Sequence, residues 1–268
     1  MAGEACEPKD AGRSGSEGLI VKEPLYSIFN LSEERHWWFR GRRRIILDLV
    51  EKYISPNFRV LDVGCGAGET LRRLEGMGDP VGVDISEEAV RYCRRRGCGK
   101  VSRVDGIELP FQKGEFDLVL SLDVLEHIAD EKRALAEYRR VIKPGGRLIL
   151  TVPAYRWLWS GHDNDNQHLR RYGRRQLEER LVTAGLKVER VTFYCTRLFP
   201  LIAAVRLIGN VIDRILPSRK VGRDFKIPGV FCNRLLEKIF AGESVPLSAG
   251  RDFPFGSSLL AVCRNEMT

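Results

Sequence analysis

Three carboxylates and three glycines are the residues of this sequence whose types and spacing most directly imply chemistry. The run Val60-Leu61-Asp62-Val63-Gly64-Cys65-Gly66-Ala67-Gly68 is an apolar stretch carrying an acid. Glycines then alternate over five positions, and a helical pattern runs from Glu69 to Glu75. A backbone without Cβ atoms lets a ligand come close, and a glycine-rich turn between strand and helix opens a dinucleotide-type α/β site. The spacing here is Gly-x-Gly-x-Gly, not the Gly-x-Gly-x-x-Gly of nicotinamide enzymes. An acid two positions before the first glycine suits a ligand with a positive amino group better than a pyrophosphate. Asp84 ends a second apolar run twenty residues after Gly64, and Asp105 with Gly106 follows a third. Each acid alone reads as an ordinary helix cap. Together they put carboxylates at the ends of three successive strands, where open α/β sheets bind ligands.

Histidines supply a second kind of chemistry. His127 lies in Leu122-Asp123-Val124-Leu125-Glu126-His127-Ile128, just beyond a fourth apolar run. A neutral imidazole there could accept a proton from a reacting group, or the segment could cap and pack the next helix. His162-Asp163-Asn164-Asp165-Asn166-Gln167-His168 holds two histidines and two aspartates in seven residues. Loop structure is the first expectation for it, acid/base or substrate contact through His162 the second, and metal binding a distant third; no metal site is expected. Arg170, Arg171 and Tyr172 beside it could hold a phosphate or carboxylate.

The elements that must position these groups follow from periodicity. A helix is predicted over 33–54, capped at Ser32, with Trp38, Ile45, Ile46, Leu49 and Tyr53 on one face and Arg42, Arg43 and Glu51 off it. Strands are predicted at 58–63, 80–84, 100–104, 116–121 and 146–152. Helices alternate with them, one running to about 76 and others over 86–96 and 130–142, which implies a parallel sheet covered on both faces. Lys143-Pro144-Gly145-Gly146 reads as a helix stop and tight turn. A helix at 174–184, a strand at 186–194, a helix at 196–216 and a second at 230–241 precede a closing strand at 258–263. In the 196–216 helix, Arg206, Asn210, Asp213 and Arg214 share a polar face opposite Leu201, Ile202, Val205, Ile208, Ile212 and Ile215.

Bulk properties narrow the class. The chain has 268 residues, 43% hydrophobic and 30% charged, with net charge +8 and pI about 9.2. Acidic partners are favoured, although the arginines fall in dispersed clusters that usually mark solvated helix faces. Seven cysteines at irregular spacing suggest reduced, mostly buried thiols. Residues 1–18 carry no apolar run, so no secretory signal is expected there and little order. The longest uncharged apolar stretch, Leu198 to Val205, is far short of the roughly 20 residues a spanning helix needs.

Over roughly positions 36–194 the motifs resemble the class I S-adenosylmethionine-dependent methyltransferases, in their small-molecule "type 11" branch. The resemblance implies a doubly wound, seven-stranded, mostly parallel α/β sheet with S-adenosyl-L-methionine as cofactor. Asp62, Gly64, Cys65, Gly66 and Gly68 match the family's first motif, against the methionine end. Asp84 would accept from the ribose hydroxyls and Ile85 would cover one adenine face. Asp105 and Gly106 match the motif that meets the adenine amino group and ring nitrogen, and Leu122 would complete the adenine sandwich. His36-Trp37-Trp38-Phe39-Arg40 resembles the lead-in helix of a bacterial subgroup, with Arg40 near the cofactor carboxylate or an acidic substrate.

The implied organisation is a tail (1–18), a helical lead-in (19–57), a cofactor-binding core (58–195), a helical cap insertion (196–254) and a closing strand (255–268). Methyl transfer to a small-molecule or lipid- or glycan-linked acceptor, acidic in character, is the leading expectation. RNA methylation and a non-catalytic cofactor-binding partner protein are the rivals. Ser121-Leu122-Asp123-Val124 stands where amino-directed base methyltransferases carry an Asn/Asp-Pro-Pro-aromatic motif, which counts against nucleic acid. The 196–216 helix could cap the pocket, form a dimer interface or lie on a membrane surface. A cytoplasmic protein, peripheral at the membrane, is the corresponding expectation.

Overall fold

In the computed structural model, residues 31–215 and 227–266 are described. The tail 1–18, Cys6 and most of the breaker-rich basic stretch after Leu216 lie outside them. Seven strands form one sheet: β1 (Phe58–Val63), β2 (Gly78–Asp84), β3 (Val101–Arg103), β4 (Phe116–Leu122), β5 (Ile142–Pro153), β6 (Lys187–Tyr194) and β7 (Ser258–Arg264). Their order is β3-β2-β1-β4-β5-β7-β6, and β7 runs antiparallel to both neighbours. The short apolar runs form parallel strands because both of their faces are covered. Along β4, Val119 packs into one core layer while Leu118, Leu120 and Leu122 pack into the other, as a period of two requires.

The helices in chain order are α1 (Trp37–Tyr53), α2 (Glu69–Leu74), α3 (Glu87–Arg95), α4 (Glu131–Val141), α5 (Gly161–Asp165), α6 (Arg174–Thr183), α7 (Phe199–Ile215), α8 (Val230–Ala241) and α9 (Ser244–Ser248). Most predicted elements fall within a few residues of these bounds. The lead-in is an exception. A helical turn at 31–35 ends at His36, whose ring accepts from Trp38 N at 3.2 Å and so caps α1. Ser32 therefore does not cap one continuous helix. Strand five also begins earlier than expected: Ile142 pairs with Phe116, and the Lys143-Pro144-Gly145-Gly146 turn lies within it before Arg147 pairs with Leu118.

One orientation expectation is reversed. Arg42 and Arg43 of α1 do not point to solvent; Arg43 is buried and donates to the Glu33 carbonyl at 3.0 Å. In α7, Arg206 and Asn210 turn toward the loop after β5. Arg206 donates to the Leu158 carbonyl and Asn210 to the Trp159 carbonyl, while Val205, Ile208 and Ile215 are 61%, 59% and 72% exposed. Backbone carbonyls of the post-β5 loop need donors, and these two side chains supply them. Among the described residues no helix is long and apolar enough to cross a membrane.

Candidate functional site

A cavity of about 950 Å³ opens at the carboxyl ends of β1, β2, β4 and β5, roofed by α1 and α7. Asp62, Gly64, Cys65, Gly66, Asp84, Ile85, Asp105, Gly106 and Leu122 all line it, and Gly68 does not. Gly64 and Gly66 have φ of +73° and +57°, a region that costs other residues energy. Gly68 is also left-handed, but its reason is packing: a Cβ there would sit 2.8 Å from Cys93 Sγ. The Cys65 thiol lies 3.8 Å from that same sulfur, in a small core under the turn.

The turn is laced to its surroundings by acids. Asp84 accepts from Gly66 N at 3.0 Å through one oxygen and from Ser86 N at 2.9 Å through the other. With a carboxylate's several lone pairs, acceptor capacity remains for a ligand hydroxyl. Burial pushes the Asp84 carboxyl up to about 6. Asp62 is pushed further, to about 8, by burial first and then by the Glu33 and Asp84 charges, against an opposing pull from Arg42. Glu33, on the turn at 31–35, accepts from Ala67 N at 2.8 Å and Glu69 N at 3.5 Å. A carboxylate thus occupies the N-terminus of α2, the place a pyrophosphate takes in dinucleotide enzymes. Asp105 takes the Ile107 N–H at 3.2 Å, with Ile85 and Leu122 as apolar walls nearby.

The other half of the cavity is built from the segments after β4 and β5. Asp123 sits at φ +58°, an uncommon conformation for a non-glycine residue. It is held by an ion pair with Arg42 and by the Thr151 hydroxyl at 3.1 Å. Arg42 also donates to the Leu122 carbonyl at 3.3 Å. Arg40, the arginine expected near the ligand, instead pairs with Glu237 at 2.8 Å on the outer side of α1. His36, Trp37, Trp38 and Phe39 line the cavity, and Trp38 also stacks on Phe240 with ring centroids 5.0 Å apart. The aromatic residues thus border the cavity and also pack α1 onto α8.

His127 and His162 face the cavity. Burial lowers the His127 imidazole to about 4, so it is neutral at pH 7. His162 Nε2 lies 3.0 Å from the Asn166 side chain. Arg170, Arg171 and Tyr172 are spoken for internally. Arg171 donates to Asp163 at 2.6 Å, Tyr172 to Glu131 at 2.8 Å, and Arg170 pairs with Glu131 at 3.2 Å. Buried charges need such partners, so the expected anion grip is not formed by them.

A methyltransferase-domain profile matches residues 61–150. A methyltransferase-family protein of Encephalitozoon cuniculi is 31% identical over 169 residues, covering 62% of this chain and 73% of that protein. The chain belongs to the class I S-adenosylmethionine-dependent methyltransferases. An O-methyltransferase of Penicillium expansum is 35% identical over 100 residues, 34% of this chain and 36% of that one. The chain spans from 22% to 73% of the length of curated relatives that it matches. Among solved structures, a Haloferax volcanii methyltransferase-family protein in complex with the Trm112 activator shares the fold. Its TM-score is 0.59 at 21% identity, over 91% of this chain and 96% of that one.

Within this methyltransferase fold, four cavity residues escape sequence reasoning: Glu33, Arg42, Asp123 and Glu126. Their signal is weak because each acts on a segment distant in sequence. Glu33 reads as a local cap and Arg42 as a solvated helix charge, yet they meet positions 67–69 and 122–123.

Proposed function

We propose that this chain transfers the methyl group of S-adenosylmethionine to a small acceptor with an apolar body, lipid-linked or similar. The observation that carries the cofactor reading is the placement of buried Asp62 and Asp84 around a left-handed glycine turn whose helix N-terminus already holds Glu33. That site favours a cation and repels a pyrophosphate. S-adenosylmethionine supplies an electrophilic methyl on a sulfonium. Asp62 would hold its ammonium end, Asp84 its ribose hydroxyls, and Asp105 with the Gly106 backbone its adenine edge, between Ile85 and Leu122. The protein's remaining work is alignment and exclusion of water, for which the aromatic residues of α1 and the roof of α7 are placed.

The acceptor reading rests on the opposite wall. Leu198, Leu201, Ile202 and Val205 of the α7 segment line the cavity, and the exposed apolar residues of that helix continue outward from it. An acceptor with an apolar tail would lie along this surface, and contact with a membrane surface would follow.

Two outcomes test these halves. Asp84→Ala is expected to weaken S-adenosylhomocysteine binding by at least tenfold in calorimetry, the scale of a lost charge-assisted hydrogen bond. Unchanged affinity removes the ribose assignment. Methyl-labelled cofactor incubated with cell extract is expected to deliver label to the organic-soluble fraction. Label recovered in RNA would overturn the acceptor class and leave the cofactor site standing.

A further inference from the structure

Glu126 closes the acceptor side of the cavity and is fully buried, yet neither of its carboxylate oxygens has a hydrogen-bond partner. A buried carboxylate left without donors is costly. Two imidazoles face it. His168 Nε2 lies 4.0 Å from Glu126 Oε1, and the His127 and His168 rings meet edge to face with centroids 4.8 Å apart. One ligand atom from each of Glu126, His127 and His168 lies within 4.8 Å of the others. We infer that these three residues form a binding site for one first-row divalent metal ion, with a coordination position left for the acceptor.

The surroundings orient both imidazoles for metal ligation. His168 Nδ1 lies 2.9 Å from Asp163 Oδ1. Asp163 accepts from Arg171 Nε at 2.6 Å and from Ser160 N at 2.8 Å, so it stays ionised and takes the Nδ1 proton. The Nε2 lone pair of His168 is then turned toward Glu126. This is the carboxylate–histidine pairing that supports metal ligands. His127 is likewise hydrogen-bonded to the Gln167 backbone, which leaves its other nitrogen free to bind.

Two imidazoles and one carboxylate suit zinc or manganese better than magnesium, which prefers oxygen donors. Ligation at about 2.1 Å would draw the three groups somewhat closer together. The loop 162–168 contributes a single ligand, and its partners come from the segment after β4, which reading the loop by itself does not reveal. The acceptor role of the ion rests on the proposed methyl transfer; the binding of the ion does not.

The test uses the full chain, freed of metal by chelation, titrated with Co²⁺ and Zn²⁺ in the absence of cofactor. One Co²⁺ per chain with visible d–d absorption is expected, and Zn²⁺ should displace it. Glu126→Gln and His168→Ala should each weaken Co²⁺ binding at least tenfold, while His162→Ala, whose ring is 6.1 Å from that of His168, should leave it unchanged. S-adenosylhomocysteine affinity, measured on the same variants, reports that the fold is intact. Absence of saturable Co²⁺ and Zn²⁺ binding, or binding indifferent to both Glu126→Gln and His168→Ala, overturns the metal site. Either result leaves cofactor binding to be judged separately, and loss of cofactor binding with intact metal binding would overturn the methyl-transfer reading alone.

Discussion

Asp62→Asn is expected to make the ligand-free protein more stable and a poorer binder of S-adenosylmethionine. Burial, with Glu33 and Asp84 nearby, raises the Asp62 carboxyl from 3.8 to about 8. A carboxyl whose folded value is raised favours the fold in its neutral form. That contribution is complete below the unfolded value near pH 4 and is lost as pH climbs toward 8. The amide stays neutral throughout, so the variant should gain a few kcal/mol over the parent at pH 8. At ~2–4 °C per kcal/mol for a chain of this length, that is a rise in Tm of roughly 5–10 °C. The gap should close as pH falls toward 4.

Binding should move the other way. A cation beside Asp62 favours its charged form, so binding expels the proton, and parent affinity should climb with pH by up to tenfold per unit between about 6 and 8. The variant should bind on the order of 10- to 100-fold more weakly at pH 8, the loss of a charge-assisted contact of ~1.5–3 kcal/mol, and with a flatter pH profile. Thermal melts and calorimetry at pH 5, 7 and 8.5 decide it. A variant that binds like the parent would show that the cation lies elsewhere.

Much of the architecture is legible in the sequence because its information is local. The run 58–68 shows an apolar strand, an acid and alternating glycines in adjacent positions, and the fold uses them that way. The acids at 84 and 105 are legible for the same reason: a strand end is visible in the pattern, and the topology brings strand ends together. What the pattern misses is decided between distant segments. Arg40 and Arg42 differ by two positions on one helix, but only the sheet below α1 and Glu237 of α8 determine that Arg42 reaches Asp123 and Arg40 does not. Periodicity identifies two faces of α7 but not which one turns inward. The carbonyls of Leu158 and Trp159 draw Arg206 and Asn210 in, while Ile208 and Ile215 are left exposed. Arg171 illustrates a third limit. Beside aspartates and histidines it resembles an anion site, yet at 5% exposure its charge is matched within the fold by Asp163.

Gly64→Ala is expected to lower both stability and cofactor affinity, by two effects that can be separated. At φ +73° an alanine is strained, at a cost of ~1–2 kcal/mol. Its Cβ would also lie 2.3 Å from Val124 Cγ2, a contact that forces apart the turns following β1 and β4 and adds ~1–3 kcal/mol of overpacking. Those turns carry Gly66 on one side and Leu122 and Asp123 on the other, so the displacement opens the cavity at the proposed cofactor end. A combined loss of roughly 2–5 kcal/mol in unfolding free energy, with S-adenosylhomocysteine affinity down at least tenfold, is the expected result by denaturant unfolding and calorimetry. Adding Val124→Ala removes the clash and leaves the backbone strain. The double variant should therefore bind more tightly than Gly64→Ala alone, and its stability should exceed the sum of the two single losses by ~1–2 kcal/mol. Strict additivity of the two substitutions would mean that the turns after β1 and β4 do not press on each other, and the close approach that shapes the proposed cofactor end of the cavity would have to be abandoned.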